Sequence, residues 1–174
     1  MNLTQNDVFQ KCFDYERLDR VQEAGLYPYF VPLSGHVGAE MKIEGHSIIM
    51  LGSNNYLGLT DHPAVMEKAK EAIEKYGTGC TGSRFLNGTL DLHIELEERL
   101  ADFLGKEMAI TFSTGFQSNL GVISTIAGRN DIIYLDRLNH ASIIDGSRMS
   151  YARVLKYRHN HHEHLRYLIK HNSE

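Results

Sequence analysis

Two places in the chain carry residues that could bind a phosphate or a flat ring, and the first lies at a predicted strand-to-helix junction. A predicted strand over 108–113 runs through Thr114-Gly115-Phe116 into a predicted helix. The first backbone N–H groups of a helix lack intrahelical partners and attract anions. Gly115 would let a phosphate approach the backbone, and Ser113 or Thr114 could add a hydroxyl donor. The alternative is an ordinary capped helix start.

His140 is the second candidate, in the stretch LDRLNHASIIDG that follows the predicted strand 132–136. Ligands of parallel sheets gather at the carboxyl ends of strands. We therefore expect His140 on the same side of the sheet as the junction at Gly115. An imidazole there could stack on a flat ring or transfer a proton. A purely structural histidine is the alternative.

A glycine-rich stretch over 77–89, GTGCTGSRFLNGT, fits the pattern G-x-G-x-x-G. That pattern indicates a dinucleotide site only between a strand and a helix. Here it follows a predicted helix, and Gly77 is the expected C-terminal stop of that helix. A dinucleotide site is therefore disfavoured. A flexible loop, or a loop whose glycines admit a different ligand, remains open.

The hydrophobic pattern predicts an α/β chain. Predicted helices cover 7–24, 91–104, 116–127 and 162–170. A further helix is predicted to begin after a cap at Thr60 or Asp61, to have Pro63 in its first turn and to end at about Tyr76. A hairpin is predicted over 40–51, and strands over 108–113, 132–136 and 153–157. The segment 108–136 is interpreted as a parallel βαβ unit. Leu92, Leu96, Leu100 and Phe103 are expected to form a buried stripe of one helix.

Composition limits the classes of function. The 174 residues are 42% hydrophobic and 23% charged, as in ordinary globular domains. A formal net charge of -4 gives no general attraction to nucleic acid. No apolar run approaches the roughly 20 residues of a membrane helix, so no transmembrane segment is expected. Cys12 and Cys80 lack metal-site spacing and are expected to be reduced thiols of a cytoplasmic protein.

Five of the ten histidines lie in the C-terminal stretch RHNHHEHLRYLIKHNSE. His161 and His164, or His159 and His162, are three residues apart and could meet on a helix face. A metal site usually needs a third ligand and supporting hydrogen bonds. We predict no metal site and interpret these residues as a solvated helix start.

Several sequence blocks occur together and in order: SNNYLGL, GTGCTGSRFLNGT followed by H and LE, FSTGFQSNLG, and LDRLNHASIIDG followed by RHN. On these blocks the chain resembles the α-oxoamine synthases, which depend on pyridoxal 5'-phosphate (PLP), from about Tyr27 to Tyr167. Within that family, GSRFLNGT, STGFQSNLGVISTIAG and HASIIDG look most like the bacterial serine palmitoyltransferase branch. Aminoketobutyrate–CoA ligase and 8-amino-7-oxononanoate synthase are the nearest alternatives.

The resemblance implies the fold-type I architecture of PLP-dependent transferases and a homodimer whose active sites draw on both subunits. It implies that the backbone of Gly115 and Phe116 binds the PLP phosphate. By the same resemblance, His140 stacks on the pyridine ring and takes part in catalysis. Asn54 is expected near the amino-acid carboxylate, and Ser83 on a loop that reaches the active site.

The implied reaction is decarboxylative condensation of an amino acid, with L-serine favoured, and a long-chain acyl-CoA to a 3-keto amino alcohol of sphingolipid biosynthesis. The family's PLP lysine, its aspartate partner of the pyridine nitrogen and a further histidine are expected beyond Glu174. Neither Lys156 nor Lys170 lies in the family's lysine motif.

The resemblance therefore indicates the N-terminal part of such an enzyme, truncated before the PLP lysine. An N-terminal helix and arm are expected over 1–45, and an incomplete PLP-binding domain over 46–174. We expect this chain alone to be inactive and to expose core surface that the rest would cover. A non-catalytic binding or dimerisation module, and more remotely a nucleotide-binding domain, are the alternatives.

Overall fold

The computed structural model describes residues 9–35 and 38–172. The chain forms two compact units, Met1–Gly79 and Cys80–Glu174. The expected boundary between residues 45 and 46 falls in the turn of a hairpin inside the first unit, and the division into an arm and an incomplete domain stays a prediction. Asp7, the predicted cap of the first helix, lies outside the described residues.

The N-terminal helix predicted over 7–24 is wrong as a single element. Two helices form instead, α1 (Gln10–Phe13) and α2 (Glu16–Glu23). The break lies at Asp14 and Tyr15, because the Asp14 N–H closes α1 on the Gln10 carbonyl and Tyr15 takes the non-helical angles φ -82° and ψ 68°. Gly25, with φ 66°, follows the second helix as expected.

The predicted hairpin is confirmed. β1 (Glu40–Ile43) pairs antiparallel with β2 (His46–Ile49), with Ile43 opposite His46. The two turn residues, Glu44 and Gly45, both have positive φ, at 49° and 83°. A two-residue hairpin turn requires this conformation, which glycine adopts at little cost.

Helix α3 (Pro63–Tyr76) ends at Tyr76 as predicted, and Pro63 is its first residue. Its cap is His62 rather than Thr60 or Asp61: the His62 Nδ1 accepts a hydrogen bond from the Ala64 N–H at 3.3 Å. An imidazole nitrogen thus takes the place of the predicted hydroxyl or carboxylate. Gly77 follows with φ 78°.

The second unit contains one parallel βαβ unit, one element later along the chain than predicted. The helices and strands of the second unit are α4 (Asp91–Leu104), α5 (Gly115–Ile126), β3 (Ile132–Asp136), α6 (Ala141–Met149), β4 (Arg153–Tyr157) and α7 (His162–His171). β3 and β4 pair in parallel from Ile132 opposite Arg153 to Asp136 opposite Tyr157, and α6 connects them. The sequence did not predict α6, because its buried residues are Ser142, Gly146 and Ser147 rather than large apolar side chains.

The strand predicted over 108–113 is wrong for this structure. The segment forms no ladder with any strand in the part of the chain that the structure describes. The Thr111 N–H donates instead to the Glu97 carboxylate at 2.8 Å. An apolar run becomes a strand only beside a partner strand, and the local sequence does not supply one.

The core is small, and large apolar side chains remain exposed, as the resemblance led us to expect. Leu135 in β3 is 2% exposed and Ala101 in α4 is 6% exposed. The buried stripe predicted for α4 is wrong: Leu92 and Leu96 are nearly half exposed and Phe103 is 85% exposed. Much of that face of α4 therefore remains exposed among the residues that the structure describes. Within those ranges, no helix has the length and apolarity that crossing a membrane requires.

Candidate active site

The N-terminus of α5 holds two free donors. The Thr114 hydroxyl accepts from the Gln117 N–H at 3.1 Å, and the Thr114 carbonyl accepts from the Ser118 N–H at 3.0 Å. The N–H groups of Gly115 and Phe116 have no hydrogen-bond partner among the described residues. A Cβ at Gly115 would meet nothing within 4 Å. The helix start is therefore capped and still fits a phosphate, because two backbone donors remain unpaired among the described residues and the space at the Gly115 Cβ position is open.

His140 lies beside this helix start. The centroids of the Phe116 and His140 rings are 6.3 Å apart, and the ring planes meet edge to face at an angle of 73°. His140 is exposed and caps α6, because its Nδ1 accepts from the Ser142 N–H at 3.2 Å. The structure thus brings together Gly115, Phe116 and His140, three of the residues that the sequence singled out. An imidazole fixed in this place fits a flat ring whose phosphate lies at the α5 terminus.

A buried polar network supports His140. The Ser142 hydroxyl lies 2.7 Å from His140 Nδ1 and accepts from the Asn119 side-chain amide at 2.9 Å. Ser142 is 0% exposed. Sequence reasoning assigned no role to Asn119 or Ser142, although both lie within the quoted blocks. Only the packing of α5 against α6 brings them together.

Asp136 anchors the turn that leads to His140. Its carboxylate accepts from the Leu138 N–H at 2.8 Å, from His159 Nδ1 at 3.0 Å and from the Asn160 N–H at 3.2 Å. The Leu138 bond is the largest cause that lowers the pKa of Asp136, and His159 and Asn160 lower it further. Sequence reasoning missed this carboxylate. Its position at the last residue of β3 was the available clue.

Ser83 belongs to a tightly folded turn rather than a flexible loop. Its carbonyl accepts from the Gly88 N–H at 2.8 Å and from the Leu86 N–H at 3.1 Å. A Cβ on the buried Gly88 would lie 1.9 Å from the Gly82 carbonyl oxygen. The glycines of this stretch therefore allow the chain to fold back on itself. The substrate-binding role of Ser83 stays a prediction.

Arg84 and Glu97 tie that turn to α4. The guanidinium donates to both carboxylate oxygens, at 3.1 and 3.0 Å, and the Thr111 N–H and hydroxyl donate to the same carboxylate at 2.8 and 2.9 Å. The Arg84 hydrogen bonds and, next, those of Thr111 lower the pKa of Glu97 to about 2. The Glu97 carboxylate in turn raises the pKa of Arg84. This ion pair of Arg84 and Glu97, here called the clamp, borders a cavity of about 640 Å³. The cavity reaches Ser113 and Gln117 near the α5 terminus.

Asn54 lies in the first unit, on an open pocket of about 680 Å³ lined by residues of the SNNYLGL block and by Thr60. The Tyr56 hydroxyl lies 3.4 Å from Asn54 Oδ1. The pocket contains carboxamide groups that can hydrogen-bond a small carboxylate. The predicted contact of Asn54 with an amino-acid carboxylate stays a prediction.

Three of the C-terminal histidines make hydrogen bonds, and one of them, His161, caps a helix. His161 Nδ1 accepts from the His164 N–H at 3.1 Å at the start of α7, and His164 Nδ1 accepts from the Arg158 N–H at 3.1 Å. His159 is paired with Asp136. Over residues 9–35 and 38–172 no three metal-ligating side chains form a cluster. The hydrogen bonds give these histidines a structural role.

Comparison with known proteins agrees with this geometry. The family model described as aminotransferase class I and II matches residues 46–174. The chain is 51% identical to a serine palmitoyltransferase of Sphingobacterium spiritivorum over 94% of its own length and 41% of that protein's. It is 48% identical to an 8-amino-7-oxononanoate synthase of Geobacter sulfurreducens over 82% of its length and 37% of that protein's.

Solved structures give the same result. A serine palmitoyltransferase of S. paucimobilis, determined with PLP and myriocin bound, has a TM-score of 0.86 at 40% identity and covers 94% of this chain. The chain spans 42% of that structure. These findings confirm the resemblance to the α-oxoamine synthases and the fold-type I architecture. The chain belongs to the aminotransferase class I and II family.

Proposed function

We propose that the protein that carries this sequence is a PLP-dependent α-oxoamine synthase of the serine palmitoyltransferase type. It would condense L-serine with a long-chain acyl-CoA, releasing coenzyme A and carbon dioxide and forming a 3-keto amino alcohol for sphingolipid synthesis. The observation that carries this proposal is the pair of free N–H groups at Gly115 and Phe116 beside the His140 ring. The 51% identity to a serine palmitoyltransferase supports the choice of branch.

Each site residue has a stated task in this proposal. The N–H groups of Gly115 and Phe116 bind the cofactor phosphate, with the α5 dipole favouring its negative charge. The His140 imidazole stacks on the pyridine ring and orients the amino acid. When bound, PLP supplies an electron sink that makes a proton or carboxylate on the amino-acid Cα removable. The lysine that anchors PLP is proposed to lie outside this chain.

The remaining residues would act on the substrate. Asn54 would hydrogen-bond the amino-acid carboxylate, and Ser83 would reach the active site from its folded turn. We further propose a cytoplasmic homodimer in which Ser83 serves the site of the other subunit. The exposed apolar faces of the chain, such as that of Phe103, support a larger assembly or a longer chain around it.

Two other functions compete with this one. The 48% identity to an 8-amino-7-oxononanoate synthase supports a related condensation with a different amino acid or acyl group, and aminoketobutyrate–CoA ligase stays in the same class. A non-catalytic binding or dimerisation module is the alternative from a different class. It gives no reason for free backbone donors beside an exposed histidine.

The test is an assay of the complete natural protein with PLP. Coenzyme A release is followed with serine, glycine or alanine and a series of acyl-CoA chain lengths, and the product is identified by its mass. The proposal expects fastest turnover with serine and a long acyl chain. Preference for glycine or alanine would move the protein to another branch. PLP binding without any turnover would favour the non-catalytic module. His140→Ala should abolish turnover, whereas His171→Ala, outside the site, should not.

A further inference from the structure

A relay of three polar side chains runs from α5 to the candidate catalytic histidine. Asn119 on α5 donates to the Ser142 hydroxyl, which lies 2.7 Å from His140 Nδ1. Ser142 is fully buried, so its hydroxyl has no water as an alternative partner. The helices approach closely here: a Cβ on Gly146 would lie 2.9 Å from the Asn119 carbonyl oxygen. This packing fixes Asn119 opposite Ser142.

The donors and acceptors of the relay fit one arrangement of protons. A carboxamide nitrogen only donates, so the Ser142 oxygen is an acceptor towards Asn119 and its single proton is available to His140. The Ser142 backbone N–H also donates to His140 Nδ1, at 3.2 Å. The backbone bond makes Nδ1 an acceptor, so Nδ1 presents its lone pair, and the free Ser142 proton can donate to the same nitrogen. In a neutral imidazole the proton then lies on Nε2.

We propose that Asn119 is a positioning residue: it orients the Ser142 hydroxyl towards His140 Nδ1, and this hydroxyl together with the Ser142 backbone N–H holds His140 as its Nε2–H tautomer. The orientation of hydrogen bonds, rather than charge, sets this tautomer. The consequence for catalysis rests on the proposed function, because a ring that stacks on PLP and orients the amino acid would offer an N–H donor at Nε2. The tautomer itself rests on the contacts between α5 and α6 alone.

Asn119→Asp tests the relay with almost no change in shape. A carboxylate accepts instead of donating, so the Ser142 hydroxyl turns towards residue 119 and its oxygen becomes an acceptor for His140. This variant should shift His140 towards the Nδ1–H tautomer. Ser142→Ala removes the hydroxyl through which residue 119 acts and leaves the backbone N–H on Nδ1, so adding Asn119→Asp to Ser142→Ala should no longer change the tautomer. Asn139→Asp places the same charge next to His140 outside the relay, and should leave the tautomer unchanged.

The measurement is magic-angle-spinning nitrogen NMR of the complete protein with ¹⁵N-labelled histidine, at about pH 8, above the ordinary histidine pKa of about 6.5. A His140→Gln variant identifies the His140 signals. The wild-type protein should show a non-protonated Nδ1. A protonated Nδ1 in the wild-type protein, or equal spectra for Asn119→Asp and Asn139→Asp, would overturn the proposal. The spectrum needs neither cofactor nor turnover, so the relay and the proposed activity can fail independently.

Discussion

Replacing Gly88 by alanine tests whether the turn that carries Ser83 is folded as the structure shows. The new Cβ would lie 1.9 Å from the Gly82 carbonyl oxygen and 2.6 Å from its carbon. Real Cβ atoms essentially never come closer than 3.0 Å to such atoms, so the backbone has to move by more than 1 Å. Because the obstructing atoms are backbone, no side-chain rotation relieves the clash.

The expected cost follows from these contacts. Overpacking a closed site costs about 1–3 kcal/mol. Opening the turn also breaks the bond from the Gly88 N–H to the Ser83 carbonyl, which contributes about 1 kcal/mol. We therefore expect Gly88→Ala to lower the free energy of unfolding by about 2–4 kcal/mol. Urea unfolding of the complete protein, followed by circular dichroism, measures this change.

Gly79→Ala is the matched control, because a Cβ there would meet nothing within 4 Å. Alanine at an unstrained site restricts the unfolded chain and changes stability by only about 0.4–1 kcal/mol, in the favourable direction. If Ser83 acts from the turn, Gly88→Ala should also reduce turnover and Gly79→Ala should not. Equal unfolding midpoints for the two variants would show that the turn is not closed in the protein.

Three further predictions concern the clamp, the core and the helix cap. The folded pKa of Glu97, about 2, lies below its ordinary 4.5, so the carboxylate stabilises the fold above about pH 5 and loses this effect as pH falls through 2. The stability difference between wild type and Glu97→Gln should shrink in acid; a difference that grows would contradict the clamp. Leu135→Ala should lower the free energy of unfolding by about 2–5 kcal/mol, because Leu135 is buried. Leu138 is exposed, so Leu138→Ala should lower it by less than about 0.5 kcal/mol. Thermal or urea unfolding measures both, and equal losses would contradict the assignment of Leu135 to the core. Thr114→Ala should cost about 1 kcal/mol by removing the α5 cap, and no loss would show that the hydroxyl does not cap.

Elements whose ends are marked by nearby cap or turn residues were predictable from the sequence. Helix α4 has its predicted bounds because its apolar spacing stops at Gly105, which takes the left-handed conformation with φ 60°. The hairpin follows from Glu44-Gly45, and β3 from its continuous apolar run. Each of these depends on residues that are neighbours in the chain.

Elements that depend on distant partners were not predictable in this way. The segment 108–113 has a strand-like pattern but no strand to pair with among the described residues. Helix α6 was missed because a close approach to α5 selects small residues such as Gly146 for its buried face. The same holds for the site. Chain position alone placed Gly115 and His140, whereas the link from Asn119 through Ser142 arises only when the helices pack.

The α5 terminus and His140 are proposed to hold PLP, and the decisive experiment is a crystal structure of the complete protein with PLP. We predict the cofactor phosphate within hydrogen-bond distance, about 2.7–3.2 Å, of the Gly115 and Phe116 nitrogens, with the pyridine ring stacked on the His140 imidazole. Electron density for the phosphate at any other helix terminus, or a His140 ring that does not touch the cofactor, would contradict the account.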